Sequence, residues 1–342
     1  MKNELSPKSL SSQSIVSFVE TKYGIVASNQ SLQFKGGVES AAWKLITDKK
    51  NYVVKVYSQR EGNPERVEDE VNLYDFLLKH SINVPVVSLS QNGKRVEILK
   101  TDNATFSVMM MQFEELRLTH SSSVTQNEIE KIASTMARMH QALENYPRKE
   151  NLYKSNLMSP NKLQEWGSYE QLIKSLNKKE FSSEELAHIR ESDSKIIDYL
   201  KRNFPPQAVN YSILHNDIAL EHAQFLPDGE VYFFDFADRS YDPISFELAV
   251  FLTHLFRSDN ISYTRWEELQ TWVINGYQSV RKLPQVDLDA IKPFILRRIE
   301  GELWYLNQLS IELNRFVDNR GNRRRYQFLD CLLRRSGIML EG

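Results

Sequence analysis

His215-Asn216-Asp217-Ile218-Ala219-Leu220-Glu221-His222 is the stretch that decides how this 342-residue chain is read. An apolar run at 211–214 precedes it, and a hairpin-like segment ending in Phe233-Phe234-Asp235-Phe236 follows it. The layout is His-x-Asp, a possible metal ligand five residues after the Asp, and a second Asp 18 residues beyond the first. Phosphoryl transfer needs residues of these types. One carboxylate orients the acceptor hydroxyl, and another holds the magnesium that bridges the nucleotide phosphates.

Asp217 takes the first role. In a loose transition state it orients the nucleophile rather than stripping its proton early. His215 is expected to hold the loop by hydrogen bonds beside it. Asp235 follows four β-prone residues, 231–234, and is assigned to magnesium. His222 is the second metal candidate, through its imidazole, although magnesium prefers oxygen. A water between metal and His222, or Glu221 in its place, are the alternatives.

Upstream, residues 31–34, 41–46, 51–57, 86–89, 96–100 and 107–113 read as short strands, and residues 64–80 as a helix. They predict a mainly antiparallel sheet of about five strands with one inserted helix. A short helix at 12–23, ended by Gly24, comes before it. Lys55, inside Tyr52-Val53-Val54-Lys55-Val56-Tyr57, is placed to reach nucleotide phosphates. Val67, Val71, Tyr74 and Leu78 form a helical stripe. At about 100° per residue Glu70 falls at its edge, while Glu68 and Asp69 point further away. A carboxylate on a core-facing stripe needs a cation, and Lys55 is the natural one. Gly36-Gly37, with Gly37 18 residues ahead of Lys55, suits a hairpin over the phosphates. Met111, Gln112 and Phe113 close the last strand and would offer backbone groups to adenine.

After Glu115 the pattern turns helical: 127–143, a polar insertion at 160–203, then 244–257, 264–281, 293–315 and 323–337. Pro293 suits the first turn of its helix. Residues 1–114 therefore read as a β-rich nucleotide-binding lobe, with a tail and helix at 1–24. Residues 115–342 read as a helical lobe with the catalytic loop at 213–243 and the substrate site. Pro243 follows Asp235 by only eight positions, too few for a long peptide-docking segment, so the acceptor is expected to be a small hydroxylated molecule. Glu300 and Trp304, one helical turn apart, would suit a cationic amine. Glu221 and Asp238 complete the expected substrate set.

Composition bounds the alternatives. Apolar residues make up 41% and charged residues 26%, the balance of an ordinary globular protein. A formal net charge of −2 gives no global reason to expect a nucleic-acid partner. The dense basic run Arg320-Gly321-Asn322-Arg323-Arg324-Arg325 reads as a solvated turn. A single cysteine, Cys331, excludes disulfides and cysteine-based zinc sites within the chain. No apolar run approaches the roughly 18 residues of a membrane span, and residues 1–12 lack the apolar core of a signal peptide. The expectation is a cytoplasmic protein without a membrane partner. No sustained heptads indicate an oligomeric state.

Assembled, these residues resemble the aminoglycoside phosphotransferase and choline kinase-like family, the small-molecule branch of the protein-kinase fold. The resemblance runs from about residue 24 to residue 308. It rests on Val53-Val54-Lys55-Val56, Glu70, Ile82-Asn83-Val84-Pro85 and Ala137-Arg138-Met139-His140. It continues through His215-Asn216-Asp217, Asp235-Phe236, Asp242-Pro243 and Glu247-Leu248-Ala249. Within the family, the N-terminal part is most similar to homoserine kinase-like and stress-response kinase-like members. The resemblance implies an α+β, bilobal protein-kinase-like fold. It also implies an ATP- and Mg2+-dependent kinase that moves the γ-phosphate to a hydroxyl of an amino alcohol, amino acid, amino sugar or antibiotic. The family usually has Gly at Asn216, Asn at His222 and Asp at Glu247, and macrolide phosphotransferases look similar in carrying His at the position of His222. The alternative is a catalytically silent kinase-fold protein with a binding or spore-coat-like role. Lys55, Asp217 and Asp235 favour the enzyme.

Overall fold

Alternation of β-branched and aromatic residues with small or charged ones builds the first part of the chain, and amphipathic helices build most of the rest. The computed structural model describes residues 6–27, 32–34, 40–57, 62–147, 153, 157, 182–258, 261–312, 326–332 and 334, leaving the side chains of 186, 189, 190, 193, 194, 258, 300 and 302–312 outside that description. In chain order the elements are α1 (Ser12–Tyr23), β1 (Leu32–Gln33), β2 (Ser40–Leu45), β3 (Tyr52–Tyr57), α2 (Pro64–Lys79), β4 (Val96–Lys100), β5 (Thr105–Gln112) and α3 (Gln126–Leu143). There follow α4 (Ser183–Asn203), β6 (Tyr211–Leu214), β7 (Ala223–Phe225), β8 (Val231–Phe233), β9 (Ser240–Pro243), α5 (Ile244–Ser258), α6 (Tyr263–Val280) and α7 (Gln285–Glu312). The fold class is α+β. Two units divide it: residues 1–117 with 224–237, and residues 118–223 with 238–342.

In the first unit the sheet runs β1-β2-β3-β5-β4, and every neighbouring pair is antiparallel. Trp43 pairs with Val54 and Ala41 with Val56, so one face gathers Trp43, Leu45, Val54, Val56, Phe106, Val108 and Met110. Helix α1 covers that face with Ile15, Val16, Phe18 and Val19. Ser11 caps its start, and Gly24 at φ 67° ends it in the left-handed region that glycine enters without a Cβ clash. Side chains alternate along a strand, so Lys55 leaves β3 on the opposite face.

Helix α2 lies against β4 and β5. Its buried side is broader than the apolar stripe alone, because Asp69 is buried along with Glu70. The expectation that Asp69 points away with Glu68 is corrected by that burial. Glu68 does sit on the outer side, where Arg95 pairs with it and also with Asn72 and Asp75. Residues 86–89 form no strand. They make one bridge, Val87 to Met111, with Ser88 N–H donating to the Met110 carbonyl at 2.8 Å. The reason is spatial: β4 accompanies β5 only as far as Met109, and residues 86–88 fill the remaining edge.

In the second unit α3 packs on α6, and α5 packs on α6 and α7. Helices α3 and α4 both start in capping boxes, Thr125 with Glu128 and Ser182 with Glu185. Strands β6 and β9 pair antiparallel, Ser212 opposite Asp242. Helix α7 begins at Gln285, eight residues before the expected start, and Pro293 lies inside it. A proline there removes one helical hydrogen bond. Asp287 anchors the true first turn, accepting from Asn210 N at 3.0 Å and Asn210 Nδ2 at 2.5 Å. No helix among the described residues is long and apolar enough to cross a membrane.

Gly276 lets α6 pass close to the backbone of α3. A Cβ there would lie 2.5 Å from the Glu130 Cα and 2.6 Å from its carbonyl oxygen, both backbone atoms that cannot swing aside. Mid-helix Gly→Ala ordinarily stabilises by roughly 1 kcal/mol. Gly276→Ala is predicted to reverse that sign and destabilise by about 1–3 kcal/mol, the overpacking range. Urea unfolding monitored by far-UV circular dichroism measures it, and a stabilised variant would contradict the packing.

Candidate active site

The Asp217 cluster belongs to the second unit. Helix α5 holds the loop backbone: Glu247, fully buried, accepts His215 N–H at 2.5 Å and Asn216 N–H at 2.9 Å. Both amides reach one carboxylate because Asn216 turns the chain at φ 66°. Asn is among the L-residues most tolerant of this region, and its Nδ2 fixes the turn by donating to the Asp238 carbonyl at 3.1 Å. His215 is completely buried, with Nδ1 accepting the Asp217 N–H at 3.3 Å. Its ring stacks with that of His222 at 5.8 Å between centroids.

Three neighbours surround the Asp217 carboxylate. His254 Nε2 is 3.2 Å from Oδ1, Arg298 Nη2 donates to the same oxygen at 3.1 Å, and His222 Nδ1 lies 3.6 Å from Oδ2. Burial pushes the carboxyl pKa up, but the His254 hydrogen bond and the Arg298 guanidinium outweigh it and hold Asp217 well below the ordinary carboxylate range. It is ionised throughout the neutral range.

His222 Nδ1 is 2.7 Å from the Asp217 carbonyl. A carbonyl only accepts, so Nδ1 carries the proton, and in the neutral ring Nε2 holds the lone pair. This is the tautomer in which Nε2 could serve a metal. Glu221 and Asp238 are exposed. Glu300 and Trp304 lie on α7 with side chains outside the described residues.

The Lys55 cluster belongs to the first unit. Lys55 Nζ donates to Asp235 Oδ1 at 2.6 Å and lies 3.7 Å from Glu70 Oε1. Tyr74 OH donates to that Glu70 oxygen at 2.7 Å, and the ammonium sits 4.6 Å from the centre of the Tyr57 ring. Burial alone would lower the Lys55 pKa, but Asp235 and Glu70 reverse it, so the ammonium stays charged. Burial and the Glu70 carboxylate likewise push Tyr74 up. Helix α2 grips the adjoining residues through a T-shaped Tyr74–Phe236 contact at 5.6 Å and an Arg66 hydrogen bond to the Ala237 carbonyl at 2.7 Å. Asp235 has φ 69°, a left-handed value for a non-glycine residue.

Gly36 and Gly37 lie outside the described residues. At the end of β5 the Gln112 N–H donates to Val86 O at 3.0 Å and the Phe113 N–H to Asn51 O at 3.1 Å. Both amides are engaged, so adenine would have to use carbonyls of Met111 to Phe113 or amides further on. Lys44 Nζ stands 3.7 Å over the Phe113 ring.

Sequence reasoning missed His254, Arg257 and Arg298. A signal existed for the first, since His254 is seven residues from Glu247 and so on the same helix face. Arg298 required knowing where α7 lies.

A family model for the phosphotransferase enzyme family (APH) matches residues 31–283. A homoserine kinase of Paramagnetospirillum magneticum is 25% identical over 268 residues, covering 76% of this chain and 75% of its own length. Among solved structures, an amicoumacin kinase in complex with AMP-PNP, Ca2+ and Ami superposes with a TM-score of 0.76 at 17% identity, over 96% of this chain and 95% of that one. A microcompartment-associated aminopropanol kinase gives 0.73 at 15% identity, over 94% and 95%. Those two likenesses are of fold.

Because the folded Asp217 pKa lies below its unfolded value of about 3.9, its ionisation contributes stability above that pH and loses it as pH falls. Wild type is therefore predicted to lose stability relative to Asp217→Asn below about pH 4, with a constant difference from pH 5 to 8. Urea unfolding of both proteins across that range checks it.

Proposed function

We infer the reaction from a fixed premise: the chain belongs to the phosphotransferase enzyme family, and it is a kinase that phosphorylates a small molecule. The donor is ATP and the acceptor group is a hydroxyl. The γ-phosphorus bonds to the acceptor oxygen as its bond to the β–γ bridging oxygen breaks, and ADP leaves. The acceptor's proton passes to Asp217 late in the transfer, then to solvent.

The observation that carries this reading is the buried Lys55 ammonium between Asp235 and Glu70. A charge this deep persists only with fixed counter-charges, and Lys55 on β3 has two. It serves the nucleotide phosphates, Glu70 keeps it in place, and Asp235 supplies a hard oxygen suited to magnesium. Among the described residues no three His, Cys, Asp or Glu side chains gather as a ready-made metal site. Magnesium needs no such cage, because it is commonly held by one or two carboxylates together with substrate phosphates. Asp235 would be one ligand and His222 Nε2 a second. When bound, the ion neutralises charge on the phosphates.

Residues 1–114 then form the nucleotide lobe and 115–342 the acceptor lobe. The first acceptor to try is homoserine, since the homoserine kinase relative aligns over three-quarters of the chain. Aminopropanol, choline and aminoglycosides follow. Glu221, Asp238, Glu300 and Trp304 are the groups proposed for an acceptor's ammonium.

Calorimetric titration with ATP, with and without magnesium, on wild type and Asp235→Ala tests the nucleotide site. The expected result is magnesium-dependent binding that Asp235→Ala loses. Absence of binding to wild type would overturn the reading. With an acceptor found by ADP release, Asp217→Asn is predicted to lower kcat by about 10²–10⁴-fold while still binding nucleotide.

A further inference from the structure

The hydrogen bonds behind Asp217 form a directed chain. Arg257 Nη2 lies 2.7 Å from His254 Nδ1, and a guanidinium only donates, so Nδ1 is the accepting nitrogen. A protonated His254 would set two N–H groups against each other at that distance. The ring is therefore neutral with its proton on Nε2, which donates to Asp217 Oδ1 at 3.2 Å. Arg298 Nη2 donates to the same oxygen at 3.1 Å and also comes within 3.2 Å of His254 Nε2, a longer contact than the 2.7 Å one from Arg257 that sets the tautomer. Oδ1 thus takes two donors. Oδ2 has no hydrogen-bond partner among the described residues; His222 Nδ1 lies 3.6 Å away, and its proton goes to the Asp217 carbonyl.

The two helices that supply these donors are the ones that fix the loop. His254 and Arg257 lie one turn apart on α5, two turns beyond the Glu247 that holds the loop backbone. Arg298 comes from α7, which packs on α5. The Asp217 backbone and side chain are therefore referenced to one packed helix pair, and a reacting group must be held to within about 0.5 Å.

We propose that His254 and Arg298 are positioning residues for phosphoryl transfer: they pin Asp217 Oδ1 and so present Oδ2 to the acceptor hydroxyl, with Arg257 fixing the His254 tautomer. The proposal rests on the kinase reading above. Orientation is where such a device acts, since misplacing a reacting group by about 1 Å costs on the order of 10²-fold.

Two measurements on the full-length protein test it. Long-range ¹H–¹⁵N NMR of histidine-labelled wild type, with the signal assigned through His254→Gln, reads the tautomer directly. A neutral ring protonated at Nε2 at pH 7 is expected, and an Nδ1–H ring or an imidazolium would overturn the chain. In the kinetic arm, His254→Leu and Arg298→Met are expected to lower kcat by roughly 10–10²-fold, leaving nucleotide affinity and acceptor KM within about twofold. His254→Gln, whose amide nitrogen can replace the Nε2–H, should recover most of the loss. In an Asp217→Asn background the His254→Leu effect should vanish, because the group it positions is gone. Unchanged kcat in His254→Leu, a loss that persists undiminished in the Asp217→Asn background, or a failure of His254→Gln to rescue while remaining folded would each overturn the proposal. Wild type that shows the Nε2–H signal but transfers phosphate to no acceptor would sink the kinase reading, and the role of His254 with it.

Discussion

The buried carboxylate of Glu247 is the contact on which the Asp217 loop depends. It receives two consecutive backbone amides, His215 and Asn216, and nothing about it is accessible to water. Left alone, a charge so placed would cost several kcal/mol. With both amides in hand, each charge-assisted bond contributes about 1.5–3 kcal/mol, and the pair dictates the backbone path at Asp217. Behind it His140 Nε2 lies 3.5 Å away, and His140 Nδ1 meets Tyr277 OH at 2.9 Å, so α3, α5 and α6 all converge on the brace. The family usually has Asp at this position. Glu reaches one methylene further, and here both its oxygens find partners.

The Lys55 cluster answers a different problem. In the proposed role of Lys55, the negative charges of a nucleotide would meet a cation already in place. Burying Lys55 makes its charge effective, and Asp235 and Glu70 keep it protonated at that depth. The geometry also explains why α2 carries Tyr74 one turn after Glu70. Its hydroxyl satisfies the Glu70 oxygen on the Lys55 side, and its ring holds Phe236 next to Asp235. Among the described residues three non-glycine residues have positive φ, and two of them, Asn216 and Asp235, belong to the candidate site.

Much of this was legible in the sequence wherever a signal is local. Strand-forming runs between turn signals gave β2 and β3 with Lys55 inside the latter, helical period placed Glu70 at the edge of the α2 stripe, and a glycine predicted the end of α1. The errors arose where long-range packing decides. Asp69 is polar, and periodicity alone sent it outward, but a broad buried face on α2 includes it. Residues 86–89 have strand composition, yet the edge left open by β4 is only about three residues long, so one bridge forms. Pro293 looked like a helix start because proline is favoured there. Ala290 and Ile291 with Phe294 and Ile295 formed the i, i+4 pattern that gave the longer helix away. At the candidate site the motif singled out Asp217 and Asp235. The donors that hold Asp217 were not legible, because His254 and Arg298 are 37 and 81 residues from it, and the helical spacing of His254 from Glu247 gives only a shared face, not a contact with Asp217.

The central claim is that α5 holds the Asp217 loop through two amides. Native-state hydrogen exchange of His215 and Asn216 tests it most directly. The account predicts that both amides exchange only through global unfolding in wild type, and that replacing Glu247 with Gln brings them down to the rates of ordinary loop amides. Exchange of either amide in wild type at the rate of an exposed loop would contradict it.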